Sequence, residues 1–170
     1  LFLMRVVLPG LDFLAAILPA VIVDGTNASR RGHSLSPLSV NPILADAAAR
    51  KAADMAQKGY FAHFGPDGKS PWAWMSEAGY AFDYAGENLA VNFVDSQDVV
   101  RAWMHSSSHR DNILKGEFAE IGIGIAEGIY QGRHTIFVVE MFGRPALAEV
   151  QTGKPASITN LFPAIEERVV

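Results

Sequence analysis

The chain has 170 residues, 49% hydrophobic and 19% charged, with a formal net charge of -4. That length suits one domain with short extensions, and the apolar content supplies a real core and argues against disorder. No basic run invites nucleic acid, and the lack of any cysteine excludes disulfides, zinc-thiolate sites and cysteine nucleophiles.

The chain opens on Leu1 rather than methionine, which reads as a processed product or a fragment. Residues 1–23 are mostly apolar but broken by Arg5, Pro9, Asp12 and Pro19. A spanning helix needs about 20 predominantly apolar residues, and this stretch comes close but carries two charges and two prolines. Two readings stand for residues 1–18. They are the remnant of a hydrophobic N-terminal region, such as the end of a membrane anchor, or an extra helix packed on the domain.

The domain itself is expected over residues 19–144. Pro19 suits the first turn of a helix that runs to Arg31 and stops at Gly32. Gly25 inside it is a weak point, costing about 1 kcal/mol relative to alanine. Asn41 and Pro42 open a second helix as cap and first-turn residue, and Gly59 ends it. Leu44, Ala47, Ala48, Met55 and Ala56 form its buried stripe. Gly65–Gly68 is a turn by composition. Ser70-Pro71 starts a short third helix with Trp72, Trp74 and Met75, closed by Gly79. Asp95 or Ser96 caps a fourth through Val99, Val100 and Trp103, and a helical turn follows near His109–Leu114.

Strands come late. Ile121, Ile123 and Ile125 alternate with Gly122 and Gly124, which leaves one face nearly bare and predicts a helix or backbone against it. Thr135–Phe142 is the partner strand, with Gly128 and Gly132 in the loop between, and Leu89–Phe93 reads as a third. Early helices and a late hairpin indicate an α+β fold, with helices covering a small antiparallel sheet. Residues 145–170, with Pro145, Pro155 and Pro163, read as a tail or linker.

Polar residues punctuate this frame at His63, Gly86-Glu87-Asn88-Leu89-Ala90 and His109-Arg110-Asp111-Asn112-Ile113-Leu114. With Trp103 and Phe118–Gly124 they occur in an order and spacing that resembles the CAP superfamily (SCP-like: cysteine-rich secretory, antigen 5 and pathogenesis-related proteins). The likeness is to its cysteine-free bacterial branch and runs from about Val21 to Arg144. It implies a three-layer α-β-α sandwich, usually outside the cytoplasm. It also implies a cleft tetrad of two histidines and two glutamates. His63, Glu87 and His109 match three members, and Ser106 stands where the fourth, a glutamate, would lie.

His63 and His109 are thus the candidate metal ligands, for zinc or another divalent ion, and Glu87 the candidate acid or base. The plainer alternative makes Glu87 a buried acceptor tying loop amides and a histidine together, and His109 a capping or core residue. His105 and His109 share helical spacing, but Ser106 replaces the glutamate that a zincin motif needs. A serine nucleophile among Ser106–Ser108 with His109 as its base lacks nucleophile-elbow glycines, so these serines read as caps. Trp72, Trp74 and Trp103 read as packing, and Arg110 and Asn112 as stabilising local turns. Asn27-Ala28-Ser29 matches a glycosylation acceptor but sits in a helix.

Two functions follow as expectations. One is a secreted or surface-exposed binding module for an envelope, lipid or protein ligand, attached to the membrane through the N-terminal segment. The other is a metal-dependent hydrolase, such as a peptidase, using His63, Glu87 and His109. Sterol or fatty-acid binding is a third, and no apolar groove is evident for it.

Overall fold

The computed structural model describes residues 17–146. The anchor reading of residues 1–16 and the tail reading of residues 147–170 lie outside the described residues. The two described residues ahead of the first helix do pack. Ile17 joins the core, and the Leu18 amide donates to Ser96 Oγ at 2.8 Å.

Five helices and four strands follow one another among the described residues. They are α1 (Pro19–Gly32), β1 (Ser39–Val40), α2 (Pro42–Lys58), α3 (Pro71–Glu77) and β2 (Phe82–Val91). Then come α4 (Ser96–His105), α5 (Ser107–Ile113), β3 (Glu120–Tyr130) and β4 (Arg133–Pro145). The sheet order is β1-β3-β4-β2. β4 pairs antiparallel with both β3 and β2, while the two-residue β1 runs parallel to β3. The sheet is therefore mixed rather than wholly antiparallel as expected.

The period-2 alternation of β4 divides the core into two layers. Phe137, Val139 and Met141 face a cluster built by Leu44, Ala48, Met55, Trp74 and Met75 of α2 and α3. Val138 and Phe142 face the opposite cluster, with Ile22 of α1, Val99 and Trp103 of α4 and Ile113 of α5. The α-β-α sandwich follows from this two-sided burial.

Helix α2 forms for the reasons its sequence gives. Asn41 accepts from the amides of Ile43 and Leu44, Pro42 fills the first turn, and Gly59 ends the helix at φ 68°. The bare face of β3 lies directly under it. A Cβ on Gly122 would fall 2.2 Å from the Leu44 carbonyl carbon, and one on Gly124 2.1 Å from that of Ala48. Gly128, read as loop from sequence, lies in β3 on this same face and would meet Ala56. The turn is instead Gln131-Gly132. Gly25 also marks a close approach, its missing Cβ lying 3.1 Å from the Val100 side chain of α4.

Strand β2 begins seven residues earlier than the sequence suggested, with an irregularity between Phe82 and Tyr84, and ends at Val91. β4 also extends past Phe142 to Pro145, so the last strand takes in the first residue assigned to the tail. β2 is a sheet edge, and edge carbonyls need partners. Two come from side chains: Trp103 Nε1 donates to Leu89 O at 2.9 Å, and Asn112 Nδ2 to Glu87 O at 3.0 Å. Among the described residues no helix is long and apolar enough to cross a membrane.

Candidate functional site

Each candidate side chain comes from a different element. Glu87 shares its β2 face with Leu89 and Val91, the face toward α2. His63 follows α2 in the loop before α3, and His109 lies in α5. The structure joins His63 to Glu87: Nδ1 lies 2.6 Å from Oε1. An ionised carboxylate only accepts, so the His63 hydrogen sits on Nδ1.

A residue that sequence reasoning missed completes this pair. Lys51 of α2 places its ammonium 2.8 Å from each oxygen of Glu87. It donates a hydrogen bond to Oε1. Its contact with Oε2 is ionic, since no well-directed hydrogen bond reaches that atom. Lys51 also donates to the main-chain carbonyl of His63. The side chains of Lys51 and Glu87 are 0% and 1% exposed, and that of His63 13%. Burial lowers the Lys51 pKa from the usual lysine value, and the adjacent carboxylate works against that shift. A signal was present in the sequence: Lys51 falls at i+7 from Leu44 and i−4 from Met55, on the apolar stripe itself.

His109 is buried and has a different partner. Its Nδ1 lies 2.8 Å from Ser106 Oγ. Ser106 stands at the N-cap of α5 yet makes no capping hydrogen bond, so the reading of this serine as a cap is corrected. Burial first, then charge on nearby His63, holds the His109 imidazole below the usual histidine range, which leaves it neutral near pH 7. Ser106 also interrupts the helix between His105 and His109, so the two do not share one helix face. His105 is exposed and pairs with the Arg101 carbonyl at 2.7 Å.

Behind these groups lies a second polar cluster. Asn88 points to the opposite face of β2, where its Nδ2 donates to Glu140 Oε2 at 3.0 Å and to His109 O at 3.2 Å. Asn112 Nδ2 donates to Asn88 Oδ1 and to Glu87 O, each at 3.0 Å. Asn112 therefore bridges elements rather than bracing a local turn. Thr26 Oγ1 donates to Glu140 Oε1 at 2.7 Å. Asn27 is tied to the Leu38 amide and carbonyl and is buried, so it is closed to glycosylation.

Glu140 is fully buried, and burial pushes its carboxyl from 4.5 to about 7, against the pull of its two hydrogen bonds. The folded state thus prefers the protonated acid. This stabilisation is complete below about pH 4.5 and is lost as pH rises through about 7. Unfolding free energy is expected to fall by roughly 2–3 kcal/mol between pH 5 and pH 8 on account of this residue. Denaturant titrations at several pH values check it, and Glu140→Gln should flatten the trend.

The family model for CAP, the cysteine-rich secretory protein family, matches residues 23–142. The chain belongs to the CAP family. With no cysteine, it fits the cysteine-free bacterial branch. This CAP domain is 41% identical over 106 residues to YkwD of Bacillus subtilis (strain 168), covering 62% of this chain and 41% of that protein. It is 32% identical over 109 residues to the membrane protein YlbC of the same organism, covering 64% of this chain and 32% of that one. The chain spans less than half the length of either relative.

Among solved structures, the CAP fold resembles an extracellular protein containing a SCP domain from Bacillus anthracis str. Ames. There the TM-score is 0.64 at 30% identity, over 74% of this chain and 40% of that one. An outer surface protein from Borrelia burgdorferi shares the fold with a TM-score of 0.64 at 22% identity, over 75% of this chain and 92% of that one.

The carboxylate of this CAP cleft is not open to a metal ion as it stands. Glu87 Oε1 already takes two hydrogen bonds, and Oε2 is closed off against an ammonium. A cation would have to enter beside Lys51. Among the described residues no group of three or more His, Asp or Glu side chains is placed to hold one. What the arrangement does is clasp: one buried ion pair fixes the loop after α2 to β2 through Lys51, Glu87 and both the ring and the carbonyl of His63.

Proposed function

We propose that this CAP domain is an extracytoplasmic binding module, secreted or displayed at the cell surface, for an envelope, lipid or protein ligand. In this reading Glu87 and His63 are structural. The observation that carries it is the closure of the Glu87 carboxylate by Lys51 and His63, which leaves it neither a free base nor an open ligand position. The clasp holds the loop that exposes Phe64. The extracellular SCP-domain protein of Bacillus anthracis, 30% identical, supports the location.

The competing reading is a hydrolase using His63, Glu87 and His109 with a divalent metal, and it requires Lys51 to leave the carboxylate. Fluorescently labelled casein incubated with the purified chain, with and without zinc, separates the two. No cleavage above a protein-free blank is expected. Zinc-stimulated cleavage that disappears in Glu87→Gln would overturn the binding reading. The folded triple variant His63→Ala, Glu87→Gln, His109→Ala should still cosediment with isolated bacterial envelopes as the parent does. Complete loss of cosedimentation would place the ligand in the cleft instead.

A further inference from the structure

A carboxyl group in the interior without a cation is costly, and an apolar residue would fill the same space more cheaply. Glu140 is such a group. It lies between Val138 and Phe142 on the β4 face that packs against α1, α4 and α5, and it is 0% exposed. The one buried guanidinium on α1, Arg30, is turned elsewhere, onto the carbonyls of Ser36, Ile113, Lys115 and Phe118. Among the described residues Glu140 has no ion-pair partner. Its neighbours in register are Asn88 on β2 and Ile123 on β3.

What the carboxyl does is orient an amide. Asn88 offers two donors on one side and an acceptor on the other, and either end fits the space. When ionised, the Glu140 carboxyl can only accept, so Oε2, 3.0 Å from Asn88 Nδ2, decides which end of the amide faces it. With Nδ2 fixed there, the same nitrogen reaches His109 O, and Oδ1 is left facing Asn112. Asn112 then turns its own donor onto Glu87 O. Two asparagines set in this way link the main chains of His109 and Glu87, one on α5 and one on β2. Thr26 holds the other carboxyl oxygen and contributes nothing to that chain of contacts.

We propose that Glu140 is a positioning residue of the CAP cleft, fixing Asn88 and, through it, the placement of His109 relative to Glu87. This does not depend on whether the cleft binds or catalyses, because it concerns only how the two main chains are held.

Side-chain amide and imidazole NMR resonances of the whole chain test it. Glu140→Leu removes the acceptor while keeping the site filled. It is expected to shift the His109 ring resonances and to abolish hydrogen-exchange protection of the Asn88 and Asn112 side-chain amides. Glu140→Gln can still accept from Asn88 with its oxygen and donate to Thr26, so it should retain that protection. Thr26→Val should also leave the Asn112 and His109 signals in place. Unmoved His109 and Asn112 signals in a folded Glu140→Leu protein would overturn the proposal. So would equal changes in the leucine and glutamine variants, since those report packing alone. If the leucine variant does not fold, a carbon-13 pH titration of the wild type decides. The Asn88 and Asn112 amides should move with the Glu140 carboxyl, and amides that stay fixed while Glu140 titrates would sink the idea.

Discussion

Gly124→Ala is expected to cost at least about 3 kcal/mol, or to prevent folding, although it adds a single methyl group. The new Cβ would lie 2.1 Å from the Ala48 carbonyl carbon and 2.3 Å from both the Ala48 oxygen and the Ala49 nitrogen. All three are main-chain atoms in the middle of α2. No side chain can rotate to make room, so the helix must lift from the sheet. Lifting it also loosens the contacts of Leu44, Ala52 and Met55 with Phe137, Val139 and Met141. Gly32→Ala is the control. Nothing lies within 4 Å of its missing Cβ, so the change should stay within about 0.5 kcal/mol. Denaturant unfolding of both variants against the parent measures the difference.

Lys51→Met is expected to destabilise the domain by about 3–5 kcal/mol, for an electrostatic reason. Methionine fills much of the same volume, but it leaves the Glu87 carboxylate buried without its cation. The remaining partner, His63, approaches only Oε1. The His63 carbonyl also loses its donor. Most of the loss should return in the double variant Lys51→Met, Glu87→Gln, where no charge is left unpaired. A double-mutant cycle by urea unfolding yields the coupling. If Lys51→Met and the double variant are equally destabilised, the damage is one of packing, and the ion pair is not what holds the clasp.

The parts of this fold written in local sequence were the legible ones. Asn41-Pro42 and Gly59 bracket α2 because cap, first turn and left-handed stop act within a few residues. Gly122 and Gly124 announced a close neighbour because a strand has few other reasons to lack side chains on one face. Pairings between distant segments were hidden. The two residues of β1 carry no periodicity, and only the antiparallel β4 shows that β2 begins as early as Phe82. At the site, His63 and Glu87 were recognised by resemblance, and they do meet. Lys51 and Glu140 are harder to read, because each is a charged residue inside an apolar pattern whose partner lies 36 or 52 residues away. A charge at a core position was itself the signal, since it needs a partner to be tolerated there.

Zinc titration of the unmodified chain by calorimetry bears most directly on the cleft. If Lys51 and His63 hold the carboxylate shut, zinc should give no saturable heat in the micromolar range. Stoichiometric micromolar binding that vanishes in His63→Ala, in His109→Ala and in Glu87→Gln would contradict that account, because it would show Glu87 and the two imidazoles free to gather around an ion.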